Sequence, residues 1–367
     1  MKVAGKKLNV INTLFLTLTP LAAAIAVPWS IAHYGLGLAE SLIFLALWLA
    51  IAVSVTAGYH RLFAHRAYEA RWPVRLFFLV FGAGALENSV LAWAADHRVH
   101  HVHVDKEQDP YNVKKGFWWS HIGWIFFDVD KPELDGVRDL SKDPLVVWQD
   151  RNYLWIGLGV AFGIPALVGV LTGSLVQCLI FGAILRIVVT HHVTFFINSL
   201  CHMIGGRPYS LRHSGRDSTI MAALAFGEGY HNYHHTFAYD YRNGVKAWHF
   251  DPAKWTIWAL SRFGLTSNLR RAPRAVILRA RVEVQFEKAQ LRMQKWNAAV
   301  RKLHESRVYE AYERMQNAIQ ELLAQQQPSK EKLAPVVDIR TPHIRSAIRD
   351  WKETMRMTRR MARQRAA

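Results

Sequence analysis

Three histidine clusters stand out along this chain: His60-x4-His65, His97-x-x-His100-His101 and His231-x-x-His234-His235. Imidazole is a preferred ligand for iron, copper, nickel and zinc. On a helix, the i, i+3, i+4 spacing carries three rings to one face. A lone histidine is more often a satisfied core or interface residue. Two copies of one motif beside a third spaced pair predict a polyhistidine metal centre instead. The chain's two cysteines, Cys178 and Cys201, suggest neither a disulfide framework nor a thiolate site.

The clusters supply eight histidines, and His191, His192 and His202 follow in an apolar stretch. Zinc sites take about four ligands and octahedral sites about six, so eight or nine imidazoles predict two metals. Few carboxylates lie beside them. Asp96 and Glu228 are expected to orient imidazole N–H groups rather than to bind metal. An iron pair facing an apolar interior suits O2 activation and attack on an unactivated C–H bond, with the hydrocarbon arriving through an apolar tunnel.

The elements that position these residues are apolar and long. Asn9 to Ala32 and Ser41 to Gly58 carry no charge, and each is long enough for ~30 Å of hydrocarbon at ~1.5 Å per residue. Asn152 to Leu185 is too long for one span. A break at Thr172-Gly173-Ser174 makes it a hairpin whose second helix runs on through Arg186 towards Phe196. Arg186 is read as a packing or snorkelling residue at least as readily as a catalytic one. Val74 to Ala95 is interrupted by Arg75 and Glu87 and is expected to cap the membrane rather than cross it. Four spans result. Lys2, Lys6 and Lys7, the 12 Lys and Arg from Tyr59 to Arg151, and the basic region after Cys201 then all lie on the cytoplasmic side, because the two short connections carry none. All three clusters and both termini are expected there.

From Arg262 onward 24 Lys and Arg face 10 Asp and Glu, which is +14 of the chain's +18. Beside membrane spans, anionic lipid is a simpler partner than nucleic acid. Residues 271–327 predict a long basic helix, with a heptad stripe from Val282 to Leu322 that ends near Gln325-Gln-Gln-Pro328. The stripe suits coiled-coil pairing or, by default, packing on the protein's own surface, and the basic tail as a whole would dock an electron donor or self-associate. Residues 328–367 are expected to be a basic, weakly ordered extension.

Thr56-Ala-Gly-Tyr-His60-Arg-Leu-Phe-Ala-His65, Asp96-His97-Arg-Val-His100-His101, Asn198-Ser-Leu-Cys-His202, Arg207-Pro-Tyr209, Gly116-Phe-Trp-Trp-Ser-His-Ile-Gly-Trp124 and Gly227-Glu-Gly-Tyr-His-Asn-Tyr-His-His235 resemble the membrane-bound fatty acyl-CoA Δ9-desaturases. The resemblance runs from about Val53 to Trp248. It implies an all-α integral membrane protein, with four transmembrane helices and a cytosolic helical cap, in residues 1–270. The cap would hold two irons through His60, His65, His97, His100, His101, His202, His231, His234 and His235, with Asn198 approaching one metal through water. His103, His121, His191, His192 and His213 match no ligand position. Asn88, Trp93, Asp96, Arg98, Lys114 and Lys115 match head-group or chain contacts, where basic groups suit phosphate. Glu87, Ser89 and Ala95 depart from the animal pattern and leave the carrier open between acyl-CoA and an acyl lipid. The implied reaction removes two hydrogens from a saturated chain with O2 and two electrons. No haem-binding cytochrome b5 domain is evident, so a separate ferredoxin, flavoprotein reductase or cytochrome b5-like donor is expected. A histidine-box hydroxylase or monooxygenase is the alternative enzyme. A metal-binding membrane scaffold is the non-enzymatic one.

Overall fold

The computed structural model describes residues 2–3, 6–128, 134–324 and 341–364. It divides into two compact units, Met1–Gly206 with His213–Arg271 and Arg207–Arg212 with Ala272–Ala367.

The first unit is built on four long apolar helices, α1 (Val10–Tyr34), α2 (Leu38–Ala64), α5 (Pro144–Thr172) and α6 (Leu175–Met203). Each is long enough to cross a bilayer, at ~1.5 Å per residue. Their outward surfaces carry exposed Leu14, Leu18, Leu21, Leu45, Leu167 and Val170. That is the reverse of a water-soluble fold, and it fits a lipid-facing exterior. Gly173 ends α5 in the left-handed region at φ 72°, so the long apolar run folds back as expected. Among the described residues the only strands are two two-residue pairs.

Between the second and third spans the chain forms α3 (Trp72–Ala83) and α4 (Val90–His103). At roughly 18 Å, α3 is too short to span. The expected single capping segment is thus two helices, parted where Leu86 and Asn88 take positive φ and Ser89 caps α4 through the Ala92 N–H. Two glycines let α3 lie close on α2. A Cβ on Gly58 would sit 2.5 Å from Phe78 Cβ, and one on Gly82 would sit 2.3 Å from the Tyr59 ring. The last parts of this unit are α7 (His231–Thr236) and α8 (Pro252–Arg262), the latter capped by Asp251 accepting the Lys254 N–H.

Arg186 is fully buried in α6. It donates to the carbonyls of Gly84 at 2.7 Å, Gly182 at 3.3 Å and Ala161 at 3.5 Å. Gly182 and Ala161 lie in π-helical turns, Ile180–Leu185 and Gly159–Gly163. The packing reading of this arginine is the one the geometry supports.

The second unit is a three-helix assembly of α9 (Arg274–Met293), α10 (Ala298–Ala324) and α11 (Pro342–Gln364). The structure differs from the sequence reading in two ways. The long helix breaks at 294–297, and α9 and α10 fold together, with Phe286 stacked on Tyr312 at 4.0 Å and Gln290 bonded to Tyr309. The heptad stripe closes a local core, which is the packing reading of it. Residues 342–364 are helical where a weakly ordered extension was expected, because Ile344, Ala347, Trp351 and Met355 form an apolar face that packs into that core. The expected stop at Gln325-Gln-Gln-Pro328 lies outside the described residues.

Gly82→Ala should lower the thermal midpoint of the detergent-solubilised protein, by overpacking worth about 1–3 kcal/mol. Gly159→Ala, whose Cβ would meet nothing within 4 Å, should leave it nearly unchanged. Equal midpoints for the two variants would refute the α2–α3 contact.

Candidate metal centre

The nine histidines of the three clusters and His202 converge from four helices. His60 sits on α2 and His65 just past its end, His97, His100 and His101 on α4, His202 near the end of α6, and His231, His234 and His235 on α7. They form two groups whose donor nitrogens all lie within 4.8 Å of one another: His60, His65, His97, His101 and His234, then His100, His202, His231 and His235.

The contacts are between Nε2 atoms. In the first group His60 and His234 are 3.0 Å apart, His65 and His97 2.8 Å, and His234 and His101 2.9 Å. In the second, His231 is 3.0 Å from both His202 and His235, and the His100–His235 distance is 3.3 Å. Hydrogen bonding alone cannot account for this. A neutral ring nitrogen offers one N–H or one lone pair, yet His234 Nε2 and His231 Nε2 each face two other nitrogens. Ligands that share a metal at ~2.1 Å lie roughly 3.0–3.4 Å apart, so these residues fit a pair of metal ions. Burial first, then repulsion among the rings, holds His65, His97, His100, His234 and His235 well below the usual histidine range. Neutral imidazole, the form that binds metal, is thus the form present near pH 7.

Outward-facing partners fix the tautomers. His60 Nδ1 lies 3.0 Å from Glu228, and Glu228 also accepts from Arg61 at 2.9 Å and from Asn243 at 2.7 Å. Burial alone would raise this carboxyl. His60 and Arg61 outweigh it and hold Glu228 at about 2. Arg61 in turn reaches Asp251 and the Tyr241 carbonyl. His100 Nδ1 lies 2.9 Å from Asp109. His202 Nδ1 lies 2.7 Å from Ser214 Oγ, and Asp105 accepts both the Ser214 hydroxyl, at 2.5 Å, and its N–H, at 2.7 Å.

Glu228 takes the orienting role read from the sequence. Asp96 does not. It is half buried, burial pushes it up to about 6, and among the described residues it bonds no imidazole. Asp109 and Asp105 do that work, and their signal was their place four and eight residues beyond the second cluster. Tyr111, its ring tilted against that of His100 at 4.4 Å, was missed with them. His191 bonds the Ala85 carbonyl, while His121 bridges His192 and Ser199. These three, with His103 and His213, stand outside both groups. Asn198 is half buried at the end of the helix leading to His202.

The expected substrate contacts separate. Trp93 stacks on His97 at 4.9 Å, directly beside the first group. Near it, burial pushes Glu87 up to about 8, which makes it a neutral acid at pH 7. Asn88 is exposed, and its N–H donates to Tyr153. Lys114 and Lys115 are held only lightly, through the Asp105 carbonyl and Glu107. Arg98 is fully committed. Its five N–H groups go to the carbonyls of Phe63, Ala64 and Gly136 and to both oxygens of Asp139. That leaves no donor for a ligand phosphate, so Arg98 is a clamp within the fold and its head-group reading is corrected.

Ser214→Ala should weaken metal binding at the four-histidine group roughly 10–100-fold, as loss of an orienting partner does, and spare the five-histidine group. Glu228→Gln should do the reverse. Metal content per chain after dialysis against a graded chelator checks both. Losses that fail to add in the double variant would show that the groups are not separate sites.

Residues 40–267 match the fatty acid desaturase family. The chain is 43% identical over 239 residues to a probable acyl-CoA desaturase of Schizosaccharomyces pombe, covering 64% of this chain and 50% of that protein. It is 39% identical over 249 residues to acyl-CoA desaturase 1 of Saccharomyces cerevisiae, covering 67% and 49%, and 37% identical over 234 residues to human stearoyl-CoA desaturase, covering 62% and 65%. The chain thus spans about half the length of the two fungal relatives. With most of its membrane unit matched and its histidines gathered as described, the chain belongs to the fatty acid desaturase family.

Proposed function

We propose that this protein is an O2-dependent fatty acyl desaturase that inserts a cis double bond, at the Δ9 position, into a saturated acyl chain carried on coenzyme A. The observation that carries this reading is the convergence of nine imidazoles into two groups, with the outer nitrogens of His60, His100 and His202 tied to Glu228, Asp109 and Ser214. The relatives' names as acyl-CoA and stearoyl-CoA desaturases supply the substrate class. In the balanced reaction, the chain's –CH2–CH2– loses two hydrogens, O2 takes up four electrons, and two water molecules form. The substrate gives two of those electrons. The other two, with two protons, come from a separate donor of the ferredoxin, flavoprotein or cytochrome b5 class.

Iron held by the two groups would supply the O2 activation that no side chain can. The protein's own part is placement. His60, His65, His97, His101 and His234 would hold one ion, and His100, His202, His231 and His235 the other, with Asn198 approaching through water. Trp93, packed flat on His97, would wall the apolar path beside the first group. Lys114 and Lys115 would meet the phosphates of coenzyme A, and Asn88 and Asp96 polar parts of the carrier. The positive-inside pattern supports a cytoplasmic location for the centre and both termini, where a soluble reductant and acyl-CoA are found.

Iron-supplied protein purified in detergent should hold about two irons per chain, as the ligand count implies, and His234→Ala should lose iron from the five-histidine group. With stearoyl-CoA, reductant and O2, product analysis should show a 9,10 double bond and no added oxygen. A hydroxylated chain would replace desaturation with hydroxylation. Folded, iron-supplied protein that binds no metal would remove the centre altogether.

A further inference from the structure

Charge in the three-helix unit is segregated by helix. In α10, Arg301, Lys302, Arg307 and Arg314 are balanced by Glu305, Glu310, Glu313 and Glu321. In α11, seven Lys and Arg face only Asp350 and Glu353. The excess is also ordered along the helix. Arg345, Arg349, Lys352, Arg356 and Arg359 follow one another at steps of four, three, four and three residues, so they share one face. All five are exposed, and Arg360 stands beside the last of them. From first to last the row runs roughly 21 Å at ~1.5 Å per residue. Among the described residues, Arg345, Arg349, Lys352 and Arg356 take part in no ion pair.

The far side of the helix is already used. Ile344, Ala347, Trp351 and Met355 are buried in the core shared with α9 and α10, and Trp351 Nε1 donates to Gln285 at 2.7 Å. The helix therefore cannot insert an apolar face into a bilayer. It can only present cations from a fixed platform.

We propose that this row of cations binds the anionic headgroups of the membrane that the same chain spans. Two features favour lipid over a protein partner. No large hydrophobic side chain of α11 is exposed, whereas protein interfaces are anchored by buried aromatic and Arg residues in a desolvated centre. The helical part of the unit, Ala272–Ala367, also follows directly in the chain on Arg271 of the membrane-spanning unit, so the covalent tether keeps it at high effective concentration relative to the membrane. Each cation near an anionic leaflet strengthens attachment roughly fivefold, and a row of five on a rigid helix acts together. The inference does not rest on the chemistry proposed for the histidines.

The test uses the full-length protein in nanodiscs of phosphatidylcholine alone or with added phosphatidylserine, with a fluorophore at Glu353→Cys and nitroxide on the lipid headgroups. Cys178 and Cys201 are buried, so the label is selective. Quenching should be strong in the anionic discs and fall several-fold as salt rises from about 0.05 M to about 0.5 M. It should be lost when Arg345, Arg349, Lys352, Arg356 and Arg359 are all changed to Gln. These exposed substitutions leave the apolar face intact, and an unchanged thermal melt would confirm a folded unit. Equal quenching in neutral and anionic discs, or quenching unaffected by the Gln substitutions, overturns the proposal. So does a stripe that ignores anionic lipid but retains an acidic protein or DNA, since that result assigns the face to that partner.

Discussion

The centre depends on keeping Glu228 buried and ionised. An imidazole can point a bare Nε2 inward only if its Nδ1 carries the proton and finds an acceptor. For His60 that acceptor is Glu228, and an isolated carboxylate in such a place would be costly. Arg61 offsets the cost, and it is the residue next to the ligand itself. Adjacent residues on a helix point in different directions, so the π-helical end of α2, Ser54–Ala64, sends His60 towards the other rings and Arg61 to Glu228 and Asp251. Arg61 is then held by Asp251, which also accepts the N–H groups of Asn243, Gly244 and Lys254. Removing one partner of such a network strands the remaining charges, which is far worse than never burying them.

The spans obey a related rule for backbone groups. In hydrocarbon an unpaired carbonyl has no water to turn to. The π-helical turns of α5 and α6 widen the backbone, and Arg186 bonds to carbonyls from both turns and to the Gly84 carbonyl at the end of α3. One charged residue thereby joins three elements, and its charge is met by carbonyl dipoles instead of a carboxylate. The same close fit appears at Gly58 and Gly82, where only a hydrogen leaves room for Phe78 and Tyr59.

Much of this was legible in the sequence because spacing reports on geometry. The uncharged runs gave the spans, Gly173 gave the hairpin, and the three clusters gave ligands that four helices then bring together. What stayed hidden depends on contacts distant in the chain. Ser214 lies 12 residues from His202 and 109 from Asp105, and no local pattern links the three. Asp96 adjoins a cluster but bonds no imidazole among the described residues, whereas Asp109 folds back to His100 from the following loop. Arg98 looked available for phosphate until the Phe63, Ala64 and Gly136 carbonyls and Asp139 were seen to use every donor. In the second unit the heptad stripe was visible, but the break at 294–297 was not. A stripe of that kind suits a folded-back hairpin as well as a partner chain, and only the packing of Phe286 on Tyr312 decides between them.

The two histidine groups are not electrostatically equivalent. Behind the five-histidine group, Arg61 is shared between Glu228 and Asp251, so the carboxylate bonded to His60 is balanced in part by an arginine. Behind the four-histidine group stand Asp109 and Asp105, with no arginine bonded to either carboxylate among the described residues. Burial pushes Asp109 up to about 7, against the pull of the Asp105 and Tyr111 N–H groups. A cation among the rings would oppose that shift and favour the ionised form. The second group therefore offers a bound cation two carboxylates with no arginine bonded to them, whereas Arg61 bridges the two carboxylates behind the first. Carboxylates behind a histidine raise its basicity and tune the metal it holds. Two like ions would thus sit in unlike fields, an asymmetry that arises from one arginine placed next to one ligand on α2.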